Sequence, residues 1–147
     1  MEFAELISDF SSRHGVEGLD IEDDTAAIDV DGLTVIFTAV DNEILMSTDI
    51  GEPPPEGASS FADLLLEANL ELGATFAKSK DSGHYILIRR LSLTTLNGES
   101  FDTALEELVN LAETWRKLLE DYRPVAEAAQ EAAEEETTFQ AGGFLQV

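Results

Sequence analysis

Carboxylates are the most abundant groups in this chain that could do chemistry, with 31 Asp and Glu against eight Lys and Arg. The stretch Asp29-Val30-Asp31-Gly32 resembles part of a calcium loop, which needs acids at its first, third and fifth positions, Gly at the sixth and Glu at the twelfth. With Gly32 at the sixth position, Ala27 and Thr38 occupy the two ends, and neither is an acidic ligand. We therefore predict that Asp31-Gly32 is a hairpin turn.

Other arrangements of possible metal ligands are equally incomplete. The run from Asp20 to Asp24 has carboxylates enough for weak binding of divalent cations, but it has no Gly to turn the chain, and we interpret it as a solvated loop. His14 and His84 have no residue of ligand type two or four positions further on, so no zinc pattern is present. The sequence predicts no metal site.

Motifs of catalysis are also missing. The chain has no Cys, which excludes thiol catalysis, disulfides and Cys-based metal sites. Gly-x-Ser-x-Gly, Ser-x-x-Lys and the Gly-rich phosphate loops do not occur. Two carboxylates could still meet in space, as in glycosidases, but nothing in the sequence selects a pair. We predict a binding protein without a cofactor, not an enzyme.

Composition places these residues in one globular domain. The chain has 147 residues, of which 44% are hydrophobic, and this is enough for a core without disulfide or metal support. No basic or long apolar segment follows Met1, so we expect neither a signal peptide nor a membrane span, and a cytoplasmic location. A formal net charge of −23 disfavours nucleic acid and anionic membranes as partners. The same charge is compatible with simple solubility or with a basic partner.

The first third of the chain predicts a helix followed by an antiparallel meander. Phe3, Leu6, Ile7 and Phe10 recur with helical spacing, so residues 2–14 are predicted to form an amphipathic helix that stops at Gly15. Three strands are then predicted, separated by turn dipeptides: residues 26–30 and 44–50 place apolar side chains on one face, and residues 33–40 are dense in β-branched and aromatic residues.

The middle of the chain contains a helix with two apolar faces. It follows a stiff connector, Pro53-Pro54-Pro55, and is predicted to be capped by Ser59 or Ser60 and to run to about Leu72, since Ser60 with Asp63 resembles a capping box. A surface helix of a monomer should have one apolar stripe. Here Phe61, Leu64, Leu65, Ala68 and Leu72 define one face, while Leu66 and Leu70 lie on another.

A second hairpin and a long helix complete the domain. The strands are predicted over residues 75–80 and 85–93, and the helix from Asn97-Gly98 to about Tyr122. The order is α-βββ-α-ββ-α, an α+β domain over residues 1–122 with an antiparallel sheet and flanking helices. Residues 123–147 are predicted to be an acidic, Ala/Glu-rich extension, partly helical or disordered. Half of the basic residues lie in the second hairpin, either to protect its edge or to orient a partner: Lys78, Lys80, Arg89 and Arg90.

This pattern resembles the class I chaperones of bacterial type III secretion, the Tir-chaperone-like family. The resemblance covers about residues 1–122 and lies in length, acidity, missing catalytic motifs, element order and several local segments. These segments are Phe3 to Ile7, Leu33 to Phe37, Phe61 to Asn69 and Phe101 to Leu119. It implies an obligate homodimer that binds the unfolded N-terminal region of a secreted effector without ATP and keeps it secretion-competent.

The resemblance also implies roles for particular residues. Leu66 and Leu70 would be buried across a two-fold axis, with Phe76 extending that dimer interface; alternatively, the proline-rich connector covers the two leucines. The acidic extension from Val125 departs from a compact family member, and our hypothesis is that it folds over an empty effector groove, using Phe139, Phe144 and Leu145. The effector groove would be formed by the first helix and the meander, although some of its residues must also belong to the core: Phe3, Ile7, Phe10, Val35, Phe37 and Met46.

Two other functions remain open at this level. A chaperone-fold regulator would have the same fold and no export client. An acidic inhibitor or immunity-type protein would block a basic partner through charge complementarity. Binding of the inhibitor type should weaken steeply with ionic strength, whereas apolar groove binding should not.

Overall fold

The computed structural model describes residues 2–16 and 19–123, and its elements follow the order α-βββ-α-ββ-α, which confirms the predicted fold class. Nearly all of the acidic extension, including the three residues assigned to groove closure, lies outside the described residues. The elements are α1 (Phe3–His14), β1 (Thr25–Val30), β2 (Leu33–Val40), β3 (Glu43–Gly51), α2 (Ala58–Ala68), β4 (Thr75–Lys78), β5 (Tyr85–Ser92) and α3 (Gly98–Glu120).

The five strands form one antiparallel sheet in the order β1-β2-β3-β5-β4. The turn between β1 and β2 is the predicted one, with φ of 51° at Asp31 and 84° at Gly32. Positive φ at both central residues matches the twist of a two-residue hairpin. This turn pairs Val30 with Leu33 and sets the register of the meander.

The inner face of the sheet carries the core. Every second side chain of β2, β3 and β5 points to this face, and the buried residues of these strands all lie there. α1 and α3 pack on it through a cluster of Phe10, Phe37 and Phe101, whose ring centroids are 5.2 to 6.4 Å apart. Aromatic contacts of this kind join helix to sheet through large apolar surfaces.

The outer face of the sheet has no buried residue on its three central strands. Its largest apolar side chains are Ile36, Leu45, Ile86 and Ile88, and Ile36 is 39% exposed. The described helices bury their apolar stripes against the inner face, so they leave this side of the sheet to solvent.

The predicted stop of α1 and the predicted start of α3 agree with the structure, whereas the predicted start of α2 does not. Gly15 ends α1 with φ of 62°, as predicted, and the Asn97 side chain begins α3 by accepting a hydrogen bond from the Ser100 amide. The predicted start of α2 at a Ser60 capping box is wrong, because the helix begins at Ala58 after Gly57. The Ser60 hydroxyl instead donates to the Gly57 carbonyl and contacts the Tyr122 hydroxyl.

The far ends of α2 and β4 fall short of the predicted bounds. α2 ends at Ala68 and not at Leu72, and β4 ends at Lys78 and not at Lys80. Tight turns after each element explain the difference, since the Leu70 amide donates to the Glu67 carbonyl and the Gly83 amide donates to the Ser79 carbonyl.

Candidate functional site: the α2 surface and the edges of the sheet

The six residues predicted to line an effector groove all lie in the core. None is more than 8% exposed. α1 has one apolar stripe, and it uses that stripe to cover the inner face of the sheet. In this conformation a client could not touch these side chains, and their assignment to a groove stays a prediction. The residues concerned are Phe3, Ile7, Phe10, Val35, Phe37 and Met46.

The second apolar face of α2 is exposed. Leu66 is 64% exposed and Leu70, just beyond the helix, is 88% exposed, so the proline-rich connector does not cover them. The opposite side of the helix is held by Phe61, whose ring lies 5.7 Å from that of Tyr85 and 5.0 Å from that of Tyr122. α2 therefore has an anchored face and an unoccupied face.

A groove of about 360 Å³ runs between α2 and β4. Leu66 forms one wall, and Phe76, which is itself buried, forms part of the opposite side. Two of the three residues predicted for a dimer interface thus line one groove, with Leu70 beyond the end of α2. Burial raises the pKa of the Tyr85 hydroxyl, which lines the same groove and donates to the Ala58 carbonyl.

Asn69 joins α2 to the free side of β4. Its side-chain oxygen accepts a hydrogen bond from the Phe76 amide at 2.7 Å, and its side-chain nitrogen donates to the Phe76 carbonyl at 3.2 Å. The sequence did not predict this contact. It shows only that an Asn, whose side chain can both donate and accept, lies between a helix and a strand.

The other edge strand, β1, is open over two residues. The Ala39 amide donates to the Asp24 carbonyl, so even-numbered residues of β1 direct their main chain to β2, and odd-numbered residues direct theirs outward. Thr25 exchanges two hydrogen bonds of 2.9 Å with Glu22. Within the described chain, the outward main-chain groups of Ala27 and Asp29 have no such partner.

A cavity of about 530 Å³ lies beside this open edge. Ala27 and Ile36 supply apolar surface to it, and Asp20, Glu22 and Asp23 supply carboxylates. The edge of β1 can therefore offer main-chain hydrogen bonds, a small apolar surface and negative charge to one extended segment.

The basic residues of the second hairpin do not form one patch. Arg89 lies 2.5 Å from Glu107, and Arg90 lies 3.4 Å from Glu43. These adjacent arginines point to opposite faces of the sheet. Carboxylates thus compensate two of the four basic groups, which leaves Lys78 and Lys80 at the exposed edge.

The two histidines make local contacts with carboxylates. His14 lies 3.0 Å from Asp102, which also accepts hydrogen bonds from Arg13. The Arg13 guanidinium holds the pKa of the Asp102 carboxyl below its usual range, and the contact ties α1 to α3. His84 lies 2.8 Å from Asp49. Over residues 2–16 and 19–123, no three His, Cys, Asp or Glu side chains are grouped so that they could hold a metal ion.

The length and composition of the described helices show whether any of them could cross a membrane. None of them combines the length and the apolar character that a membrane crossing requires.

The sequence of this chain matches the model of a known protein family. The model of the Tir chaperone protein (CesT) family matches residues 5–116, which is most of the chain. Among curated proteins, no sequence matches.

Solved structures share the fold at low sequence identity. A structure of the ExsC-ExsE complex is 21% identical, with 78% of this chain and 91% of that chain covered and a TM-score of 0.69. The Yersinia pestis type III secretion chaperone SycH, in complex with a stable fragment of YscM2, is 21% identical over 77% and 98% of the two chains, with a TM-score of 0.64. YbjN, a putative transcription regulator from E. coli, is 15% identical over 78% and 90%, with a TM-score of 0.59. At these identities the structures establish the fold alone.

Proposed function

The chain belongs to the Tir chaperone protein (CesT) family, and from that premise we propose that it is a cytoplasmic type III secretion chaperone that binds the unfolded N-terminal region of a secreted effector. It acts as a homodimer and without ATP. Holding the effector segment extended keeps it competent for export, because no folded structure has to be opened again.

This proposal rests on the contrast between the covered inner face of the sheet and two surfaces that remain exposed. The inner face of the sheet is filled by α1 and α3, whereas the α2 surface and the β1 edge are open. Apolar side chains and free main-chain groups are what an unfolded polypeptide can bind without a defined shape of its own. An added strand gains affinity from main-chain hydrogen bonds and selectivity from alternate side chains.

The two open surfaces suggest a division of roles. Leu66 and Leu70 suit a two-fold contact, where each patch meets its own copy. Ala27 and Asp29 at the β1 edge suit an extended client, whose basic residues would be attracted by the carboxylates of the neighbouring cavity. A dimer then holds two such edges for one client chain.

The test is purification of the tagged full chain from its source cell, followed by identification of what binds to it. The partner should be an exported protein, and deletion of its N-terminal region should abolish binding. Affinity should not change with ATP and should change little between low and high salt. Retained binding after that deletion would contradict the proposal.

A pair of proline variants tests the β1 edge directly. Ala27→Pro removes an outward amide from this edge and should weaken client binding about tenfold, whereas Lys78→Pro on the opposite edge should leave it unchanged. Equal effects of the two variants would argue against strand addition at β1.

YbjN supports a second candidate, a chaperone-fold regulator without an export client, because it shares the fold at a TM-score of 0.59. In that case the co-purified partner would be a protein that stays inside the cell. An inhibitor of a basic enzyme would be distinguished by a steep loss of affinity with salt.

A further inference from the structure

The two edges of the sheet differ in whether their outward main-chain amides and carbonyls are hydrogen-bonded. At β4, the amide and the carbonyl of Phe76 both face away from β5, and both are bonded to the carboxamide of Asn69. One side chain thus satisfies the donor and the acceptor of one residue, as a neighbouring strand would do. At β1, the corresponding groups of Ala27 and Asp29 have no partner within the described chain.

The position of Asn69 is fixed from both sides. Its own amide donates to the Leu65 carbonyl at 3.0 Å, which extends the hydrogen bonding of α2 by one residue. Its side chain reaches across the start of the turn to Phe76, seven residues later, in a partly buried setting. The carboxamide therefore stands where the main chain of an added strand would have to lie.

We propose that Asn69 closes the β4 edge to main-chain pairing. A second copy can then meet the α2–β4 surface only through side chains such as Leu66 and Leu70, and no continuous sheet forms between copies. An extended client can add a strand only at β1. The last two statements rest on the proposed function, whereas closure of the edge itself does not. Exposed strand edges otherwise favour pairing with other chains.

The experiment removes the carboxamide from the full chain with Asn69→Leu, which preserves side-chain size. We expect hydrogen exchange at the Phe76 amide to become about fivefold faster, the effect of losing one hydrogen bond. We also expect assemblies that grow with concentration beyond the size of the wild-type particle, measured by sedimentation velocity.

Two further variants separate closure from a general structural role. Lys78 lies two residues beyond Phe76 and directs its amide to the same side, so Lys78→Pro should block pairing at this edge. In the Asn69→Leu background it should restore the wild-type size. Asn69→Asp keeps the acceptor for the Phe76 amide and should keep its slow exchange.

The proposal is overturned if Asn69→Leu leaves both the size distribution and the Phe76 exchange unchanged, or if Lys78→Pro does not reverse the assembly. Should Asn69→Leu fail to fold, as judged by circular dichroism, Asn69→Asp decides. Slow hydrogen exchange of the Phe76 amide in Asn69→Asp then supports closure of the β4 edge by residue 69, and fast exchange refutes it. None of these measurements uses a client, so they stand independently of whether an effector is found.

Discussion

Truncation of the exposed leucines on the α2 surface tests the dimer quantitatively. In the single chain Leu66 is 64% exposed and Leu70 is 88% exposed. Complete burial of a Leu side chain contributes about 2 kcal/mol, so covering these exposed fractions contributes about 1.3 and about 1.8 kcal/mol per copy. Two copies together would gain about 6 kcal/mol from the leucines alone, before the cost of association is subtracted, whereas a micromolar dimer needs a net gain of about 8 kcal/mol.

Leu70→Ala keeps the Cβ atom and removes most of the contribution of Leu70, which is about 3.5 kcal/mol for the two copies. The expected loss is about 2.5 kcal/mol per dimer, or roughly a 70-fold weaker Kd. Sedimentation velocity over a concentration series measures this shift. Ile36→Ala is the control, because Ile36 is an exposed apolar residue on β2, which β3 and β5 separate from β4, and its truncation should leave the Kd unchanged.

Two results would refute the reasoning. One is a wild-type chain that stays monomeric throughout the concentration series. The other is a dimer whose Kd responds to Ile36→Ala as strongly as to Leu70→Ala, since the contact would then not depend on the α2 surface. Leu66→Asp adds an independent check, because a charge placed on a two-fold axis meets its own copy and should give a monomer.

Three further predictions concern the fold that supports these surfaces. Phe37→Ala should cost about 3–5 kcal/mol in urea unfolding, because its ring fills the core, and a loss below about 1 kcal/mol would favour a groove position. Asn97→Ala should cost about 1 kcal/mol by removing the cap of α3, and an unchanged unfolding midpoint would contradict that role. Because Arg13 lowers the pKa of Asp102, the carboxylate stabilises the fold at neutral pH, and this contribution is lost as pH falls below 3.8. The difference in unfolding free energy between wild type and Asp102→Asn should therefore shrink in acid, and a difference independent of pH would argue against the contact.

Local patterns predicted the elements because the physics that forms them is local. The Asp31-Gly32 turn, the density of β-branched and aromatic residues in β2 and the Gly15 stop of α1 each involve a few adjacent residues. The start of α2 could not be predicted this way. Ser60 has the side chain of a cap, but Tyr122, 62 positions away, occupies its hydroxyl. A contact between residues so far apart in the chain cannot be recognised from a pattern of a few adjacent residues.

The groove assignment shows a different limit of sequence reasoning. Periodicity identifies which residues share a face, but it does not tell whether a helix or a client covers that face. Phe10 and Phe37 lie on apolar faces that meet each other, so both are buried within one chain. The second face of α2 was informative because α2 already had one apolar face in use, and a surplus apolar face in one chain predicts exposure.

The acidity of the chain has a partly structural origin. Asp31 and Asp41 in the two turns of the meander, and Asp23 and Asp24 in the turn just before β1, all adopt positive φ. Among residues with a side chain, Asp is one of the few that tolerate this conformation, because its short carboxylate can bond to the nearby backbone. These acids are therefore accounted for without a basic partner. The carboxylates that could act on a client are those beside the open β1 edge, where a negative charge next to free main-chain groups would speed the approach of a basic segment while apolar contacts hold it. On the proposed function, we therefore expect this charge to give the association rate a modest dependence on salt, and the apolar surface to supply most of the affinity.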